Sequence, residues 1–163
     1  VANLNSLLRG EGMPKVIEFN CRLGDPETQP LMLRLRSDLV TLIEAALDAR
    51  LDQVSADWDK RAALGVVMAA SGYPGTYKKG DIISGLPTTE TGDRKVFHAG
   101  TALKDGQVVT SGGRVLCVTA LGDTVAAAQK HAYEGVKQIR WNAVQFRSDI
   151  GYRAISREVN DFL

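Results

Sequence analysis

The most informative stretch of this 163-residue sequence is Pro14-Lys15-Val16-Ile17-Glu18-Phe19-Asn20-Cys21-Arg22-Leu23-Gly24-Asp25-Pro26-Glu27-Thr28-Gln29. Apolar and polar residues alternate over its first half, which is typical of a half-buried strand whose side chains point to opposite faces. The apolar face holds Ile17, Phe19 and Cys21, and the polar face holds Glu18, Asn20 and Arg22. The sequence therefore predicts a strand with a carboxylate, an amide and a guanidinium on one face.

The polar face of this strand suits a small divalent cation. Magnesium prefers hard oxygen ligands, and it usually takes one or two protein groups together with substrate phosphates and water. Glu18 and Asn20 supply such oxygens, and Arg22 carries a fixed positive fork for a phosphate or carboxylate. An edge strand with an ordinary solvated polar face is the alternative. Gly24-Asp25-Pro26 then predicts a tight turn, after which Glu27 opens the next element.

The sequence resembles a known family. The pattern Glu-x-Asn-x-Arg-x-Gly-Asp-Pro-Glu-Thr-Gln looks like the end of the ATP-grasp domain of the glycinamide ribonucleotide synthetases, which are phosphoribosylamine–glycine ligases. Later blocks that resemble the same family follow in order at residues 69–75, 80–83, 95–101, 111–120 and 149–155. Glu-x-Asn-x-Arg alone would indicate only some ATP-grasp enzyme, whereas the ordered blocks are specific for this family.

The resemblance implies an α+β fold. The last strand and helices of an ATP-grasp domain would precede a small C-terminal domain with a mixed or antiparallel sheet and one packed helix. On this basis residues 1–13 are an unmatched segment. Residues 14–61 are expected to be the end of the ATP-grasp domain with the metal-ligand strand and linker helices, and residues 62–163 to form the C-terminal α+β domain.

The resemblance also implies an activity in purine biosynthesis. Enzymes of this family join glycine to 5-phosphoribosylamine through a glycyl phosphate, with cleavage of ATP to ADP and phosphate. By the matching motif, Glu18 and Asn20 take the family's metal-ligand roles for Mg²⁺ or Mn²⁺, and ATP is a co-substrate. We assign Arg22 a catalytic role in stabilising the transferred phosphoryl group or the acyl phosphate.

Four further residues are candidates for substrate binding. Asp25 and Glu27 follow the motif strand, and their charge suits a substrate amine or ribose hydroxyl. Gly113 and Arg114 lie in the turn Ser111-Gly112-Gly113-Arg114, where backbone amides and the guanidinium are candidates to hold the phosphate of phosphoribosylamine. A glycine hairpin with a surface arginine is the alternative, because short glycine-rich loops are weak signals.

The family enzyme is longer than this sequence. Its N-terminal α/β domain and most of its ATP-grasp domain, which hold adenine and the triphosphate, have no counterpart here. We therefore expect the isolated chain to lack ligase activity and to need those N-terminal domains as partners. Two alternatives remain open, namely a non-catalytic interaction or lid domain, and part of another ATP-grasp ligase or carboxylase.

Composition argues against several other classes. The 20 basic and 19 acidic residues are interspersed and give a net charge of +1, so no basic face for nucleic acid is expected. No apolar run approaches the roughly 20 residues that span a bilayer, and no secretory signal pattern opens the sequence. We expect a soluble cytoplasmic protein with no membrane partner, in which Cys21 and Cys117 are reduced, buried thiols.

The remaining pattern predicts local structure. Leu4, Leu7 and Leu8 are spaced for a helical turn, and residues 30–51 for two helices with Ser37 or Asp38 as the cap of the second. Apolar runs predict strands at residues 63–70, 81–83, 96–99, 107–110 and 115–120, with a hairpin turn at Asp105-Gly106. A helix is expected over residues 125–138, and the tail from Trp141 to Arg157 has no clean period. His98 and His131 are interpreted as structural or solvated rather than catalytic.

Overall fold

The computed structural model describes residues 3–8, 14–20, 22–89 and 91–160, and within residues 3–8 and 14–20 it describes the backbone. Its strands are β1 (Asn3–Leu8), β2 (Pro14–Asn20), β3 (Ala62–Ala69), β4 (Arg94–His98), β5 (Thr101–Lys104), β6 (Gln107–Thr110) and β7 (Arg114–Gly122). Its helices are α1 (Thr28–Arg34), α2 (Leu39–Leu47), α3 (Val125–Val136) and α4 (Tyr152–Asn160), with a short 3-10 helix at Leu51–Gln53. The architecture is α+β, and the strand pairs in these ranges are antiparallel.

A three-stranded sheet forms the centre of the fold. Strand β7 lies in the middle, between β3 and β4. In β3, Leu64, Val66 and Met68 alternate with less buried residues, as expected for a strand with one face in the core. These residues pair in register with Ala120, Val118 and Leu116 of β7, all of them buried. The apolar run predicted at residues 63–70 is therefore a core strand.

Helix α3 covers one face of this sheet. Thr124 caps its first turn, because the Thr124 hydroxyl oxygen accepts a hydrogen bond from Ala127 N at 3.1 Å. Ala128 and Ala132 are fully buried, and a Cβ added at Gly135 would come within 2.8 Å of Val118 Cγ1. Small residues thus allow the helix to lie close to the sheet.

Helix α1 packs on the opposite face, against β3 and β7. A Cβ at Gly65 would lie 3.4 Å from Pro30 Cγ and 3.0 Å from Cys117 Sγ, so the glycine makes room for the helix. Cys117 is a free, buried thiol, and burial raises its pKa. Cys21, the other predicted buried thiol, lies outside the described residues.

A buried carboxylate connects α1 to the start of β3. Asp59 is 5% exposed, and its Oδ2 lies 2.8 Å from both Arg36 Nη2 and Arg61 Nη2. Its main-chain carbonyl accepts a hydrogen bond from Arg34 Nε at 3.0 Å. Hydrogen bonds from Arg61 and then Arg36 hold the pKa of the Asp59 carboxyl far below its usual range. The cluster fixes the segment between α2 and the sheet.

The local predictions in the middle of the chain are mostly confirmed. Two helices are present as predicted for residues 30–51, although the first begins earlier, at Thr28. Asp38 caps the second by accepting from Val40 N at 2.7 Å and Thr41 N at 3.2 Å. Asp105 and Gly106 join β5 to β6 with positive φ angles of 51° and 75°. The strand predicted at residues 81–83 is reduced to one bridge between Ile82 and Val109.

Two predictions at the ends of the chain are wrong. Leu4, Leu7 and Leu8 lie in strand β1, which pairs with β2, instead of in a helical turn. Pairing supplies partners for the backbone groups of both strands, which outweighs a short apolar spacing. The expectation of one packed helix after residue 62 is also wrong, because α4 contacts α3 as a second helix. Both carboxylate oxygens of Glu158 in α4 accept from Val125 N, at 2.9 and 3.0 Å.

None of the helices in the described ranges is both long enough and apolar enough to cross a membrane.

Candidate functional site

Strand β2 carries the predicted metal ligands. Glu18 and Asn20 occupy alternate positions in it, so the strand predicted for this stretch is confirmed at the level of the backbone. The register with β1 shifts between Leu4 and Ser6, where Ile17 and Glu18 stand opposite a single residue. Such bulges are frequent next to active sites because they re-aim a side chain. The side chains of Glu18 and Asn20 lie outside what the structure describes, and their assignment as metal ligands stays a prediction.

The turn after β2 leads into α1. Arg22 is exposed, and its guanidinium donates to the neighbouring Leu23 carbonyl at 3.4 Å. The Gly24 carbonyl accepts from Thr28 N at 2.9 Å and also from the Thr28 hydroxyl, so the tight turn predicted here is present. Asp25 and Glu27 are exposed on this turn.

The structure brings two of the predicted substrate-binding residues together. Arg114, at the start of β7, donates from Nη1 to the main-chain carbonyl of Asp25 at 3.1 Å. Its Nη2 lies 3.2 Å from Asp25 Oδ2. The side chains are 40% and 50% exposed, so this ion pair lies at the surface, where another anion can reach it. The turn after the motif strand is thus joined to the glycine turn before β7.

The glycine turn itself uses its amides internally. Ser111 N and Gly112 N both donate to the Gly100 carbonyl, at 2.8 and 3.0 Å. These two amides therefore already have acceptors, whereas the Arg114 guanidinium is 40% exposed and can contact an anion. Gly113 has a different role, since a Cβ there would meet the ring of Tyr73 and come within 3.0 Å of Tyr77 Cε1. The glycine lets this aromatic pair lie against the turn.

A groove with a volume of about 460 Å³ opens beside Arg114. Its walls are Val67, Ala69, Tyr73, Arg114, Gln145, Phe146 and Arg147. A backbone bridge between Ala69 and Gln145, with N–O distances of 2.7 and 3.0 Å, brings the later segment to the sheet edge. The groove combines two guanidinium groups with aromatic and aliphatic walls, a composition that suits a small anionic ligand with an apolar or sugar-like body.

Arg147 is held at the mouth of this groove by its own carboxylate partner. Its Nε and Nη2 donate to the two oxygens of Asp149 at 2.9 and 2.7 Å, and this contact lowers the pKa of the Asp149 carboxyl. The Tyr133 hydroxyl donates to the Arg147 carbonyl at 2.6 Å. Sequence reasoning missed Gln145 and Phe146 because nothing in their local pattern shows the bridge to Ala69.

The two histidines stand apart from this groove. His98 is exposed, and its Nδ1 lies 3.1 Å from the Thr101 hydroxyl. His131 Nδ1 lies 2.9 Å from the Leu121 carbonyl oxygen. Among the described side chains, no group of three His, Cys, Asp or Glu residues is arranged to hold a metal ion.

Comparison with known proteins identifies the family. The family model for the phosphoribosylglycinamide synthetase C domain matches residues 63–153. The phosphoribosylamine–glycine ligase of Pseudomonas aeruginosa is 66% identical over 147 residues, which are 90% of this chain and 34% of that protein. The ligase of Escherichia coli O6:H1 is 65% identical over 151 residues, covering 92% of this chain and 35% of that protein.

A solved structure agrees with these sequence matches. The crystal structure of the phosphoribosylamine–glycine ligase from Thermotoga maritima superimposes with a TM-score of 0.65 at 35% identity, covering 90% of this chain and 35% of that one. The chain thus spans about a third of the length of the relatives that it matches. Because the family model covers more than half of the sequence, the chain belongs to the phosphoribosylglycinamide synthetase C-domain family.

Proposed function

We propose that this chain is the part of a phosphoribosylamine–glycine ligase that supplies one side of its metal site and the groove for a phosphorylated substrate. The observation that carries the proposal is the contact of Arg114 with Asp25. It places the turn that follows Glu18 and Asn20 directly beside a groove with two guanidinium groups. A ligase that passes an activated acyl group to a phosphorylated amine needs these two sites side by side.

The proposed reaction has two steps. A carboxylate oxygen of glycine attacks the γ-phosphorus of ATP, the bond to the β–γ bridging oxygen breaks, and ADP leaves with glycyl phosphate formed. The amine nitrogen of 5-phosphoribosylamine then attacks the acyl carbon, the C–O bond to phosphate breaks, and the nitrogen gives up a proton. Both steps build up negative charge on phosphate oxygens, so their rates depend on positioned cations.

Glu18 and Asn20 fit one end of a magnesium site. A carboxylate and an amide oxygen are the hard ligands that Mg²⁺ or Mn²⁺ prefers, and two protein ligands leave room for phosphate oxygens and water. Bound there, the metal would neutralise charge on the terminal phosphates of ATP. The backbone bulge at Ile17 and Glu18 supports this role, since bulges are frequent next to active sites.

The exposed residues after β2 complete the phosphate side. We propose that Arg22 contacts the transferred phosphoryl group or the acyl phosphate, because it is a surface guanidinium two residues after Asn20. Glu27, exposed at the start of α1, is proposed to attract the substrate amine or a ribose hydroxyl. Asp25 is likewise proposed to attract the substrate amine or a ribose hydroxyl. Because its carboxylate is paired with Arg114, we propose that Asp25 also positions the Arg114 guanidinium.

The groove is the proposed site of the substrate phosphate and ribose. Arg114 and Arg147 would bind the phosphate, and the rings of Tyr73 and Phe146 would flank the sugar. Gly113 contributes by allowing Tyr73 to lie against the turn. We propose the two guanidinium groups as the phosphate ligands, since the amides of Ser111 and Gly112 already donate to Gly100.

A hybrid ligase tests this function. The matched third of the Pseudomonas aeruginosa ligase is replaced by this chain, and ADP release is followed with glycine and 5-phosphoribosylamine. We expect ATP-dependent product within about tenfold of the parent rate, and no turnover by the isolated chain. Arg114→Ala should raise KM for phosphoribosylamine at least tenfold, while Arg157→Ala, an exposed arginine of α4, should not.

Three outcomes would overturn the proposal. A folded hybrid without ATP-dependent product would contradict the ligase function. Turnover with bicarbonate instead of glycine would indicate another ATP-grasp carboxylase. An active hybrid that is equally insensitive to both arginine substitutions would exclude the phosphate groove, and it would leave the non-catalytic lid or interaction role for this domain.

A further inference from the structure

Helix α2 and the turn after it expose an apolar face. Leu39, Val40, Ile43 and Leu47 in the helix are 38%, 62%, 49% and 82% exposed, and Leu51 in the 3-10 helix is 55% exposed. The four helix residues follow the spacing of one side of a helix, and Leu51 lies in the turn just after it. These five residues are called here the α2 face. The other side attaches the helix to the protein through Ala45, which is 2% exposed, and the half-buried Leu42.

Exposed apolar side chains are concentrated in this part of the chain. Of the twelve large apolar residues exposed in the described ranges, seven lie between Leu23 and Trp58. The domain matched by the family model, residues 63–153, has four of the other five in a much longer segment. An exposed apolar helix face of this kind marks an interaction site, because leaving it in water forgoes the free energy of burial.

The identity of the covering surface follows from the length of the relatives. The α2 segment falls within the 90% of this chain that the Pseudomonas aeruginosa ligase matches, but the chain corresponds to only 34% of that protein. In such a ligase the other two-thirds belong to the same polypeptide. A surface on the same chain is present at a far higher effective concentration than a separate molecule, so it is the favoured partner over a second copy.

We propose that the α2 face packs against the part of a phosphoribosylamine–glycine ligase that this chain does not contain. Helix α1 lies against the central sheet and is followed after four residues by α2, so this contact would hold the whole β2–α1 segment between the two portions. This proposal concerns packing only. It does not depend on which residues bind the metal ion or the substrates.

Side-chain footprinting of the isolated chain and of the hybrid ligase tests this packing. Carbene labelling reports the solvent access of Leu47, Ile43 and Leu103, the last of which is 75% exposed on the β5–β6 hairpin and serves as the control. We expect labelling of Leu47 and Ile43 to fall at least fivefold in the hybrid, whereas labelling of Leu103 changes less than twofold. Equal labelling of Leu47 in both proteins overturns the proposal.

Matched charge substitutions give a second readout. Leu47→Glu and Leu103→Glu should each leave the thermal midpoint of the isolated chain unchanged, because both side chains are exposed there. In the hybrid, only Leu47→Glu should lower the midpoint, by more than about 3 °C. Equal midpoints of the two hybrid variants contradict the proposal, and an inactive hybrid would still report on it because neither readout needs turnover.

Self-association is the competing occupant. If a second copy covered the α2 face, the isolated chain would double in mass with rising concentration and Leu47 labelling would fall in parallel. That result would overturn the assignment to the rest of the ligase. We expect instead a monomeric mass at micromolar concentration and labelling that does not depend on concentration.

Discussion

The Arg114 guanidinium contacts both the main-chain carbonyl of Asp25, at 3.1 Å, and the Asp25 carboxylate, at 3.2 Å, although 89 positions separate the two residues in the sequence. The two residues belong to different parts of the fold, since Asp25 lies in the turn before α1 and Arg114 is the first residue of the central strand β7. An anionic ligand that binds the Arg114 guanidinium therefore also lies next to Asp25 and the turn that follows the motif strand. This shared guanidinium is the structural link on which the proposed function rests.

The Arg114–Asp25 pair should contribute little to stability. Both side chains are about half exposed, and ion pairs of this kind are worth roughly 0.2–1 kcal/mol. In a double-mutant cycle with Arg114→Ala and Asp25→Ala, we expect a coupling energy below about 1 kcal/mol by urea unfolding. A coupling several times larger would mean that the contact is a structural element of the fold rather than a site left open for a ligand.

Gly113 should not tolerate a side chain. A Cβ would collide with the ring of Tyr73, so Gly113→Ala should destabilise the protein by about 1–3 kcal/mol, as overpacking does. Gly92→Ala is the matched control, because no atom lies within 4 Å of a Cβ there. Urea unfolding measures both variants, and equal free energies of unfolding for the two would show that Tyr73 moves aside without cost.

Asp59 should make stability depend on acidic pH. Its pKa is far below the ordinary value in the folded state, owing to Arg61 and Arg36, and near 3.9 when unfolded. Its contribution is therefore complete above the unfolded pKa, and it is lost as the pH falls further towards the folded pKa. Asp59→Asn should lower the thermal midpoint at pH 7 and flatten its decline between about pH 4 and pH 2.

The control for this pH dependence is Asp52→Asn, which changes an exposed aspartate in the 3-10 helix. It should keep the wild-type slope below pH 4. If Asp59→Asn showed that same slope, the acid sensitivity would come from other carboxylates.

Glu158 should hold α4 on the molecule. Its carboxylate accepts from Val125 N at the start of α3, where a negative charge is also favoured by the helix dipole. Glu158→Ala should lower the free energy of unfolding by about 1 kcal/mol and speed amide exchange in α4. Glu134→Ala, at an exposed position within α3, is the comparison and should leave exchange in α4 unchanged.

Local chemistry explains which elements the sequence predicts. The alternation from Lys15 to Cys21 indicates β2, Asp38 marks the start of α2, and Asp105-Gly106 supplies the positive φ angles of the hairpin. Each of these signals lies within a few residues of the element that it specifies. The resemblance to a family was confirmed by the comparisons as well, since its blocks are spread over most of the chain.

Long-range contacts explain what the sequence does not predict. Helix α4 has Tyr152, Ile155 and Val159 at helical spacing, but this short signal was overlooked in a tail rich in polar residues. The contact of its Glu158 carboxylate with the start of α3 is long-range and leaves no local pattern. Phe146 and Gln145 enter the groove only because a bridge forms between Gln145 and Ala69. The contact of Arg114 with Asp25 likewise requires α1 to pack on the sheet first.

The proposed metal site is tested most directly by the magnesium dependence of the hybrid ligase with and without Glu18→Gln. The substitution keeps the size of the side chain but removes the charge of a proposed metal ligand, so we predict that kcat falls at least a hundredfold and that more Mg²⁺ is needed for half-maximal rate. Glu44→Gln, an exposed carboxylate of α2, should change neither quantity. A Glu18→Gln hybrid with the parent kcat and the parent Mg²⁺ dependence would contradict the assignment of Glu18 as a metal ligand.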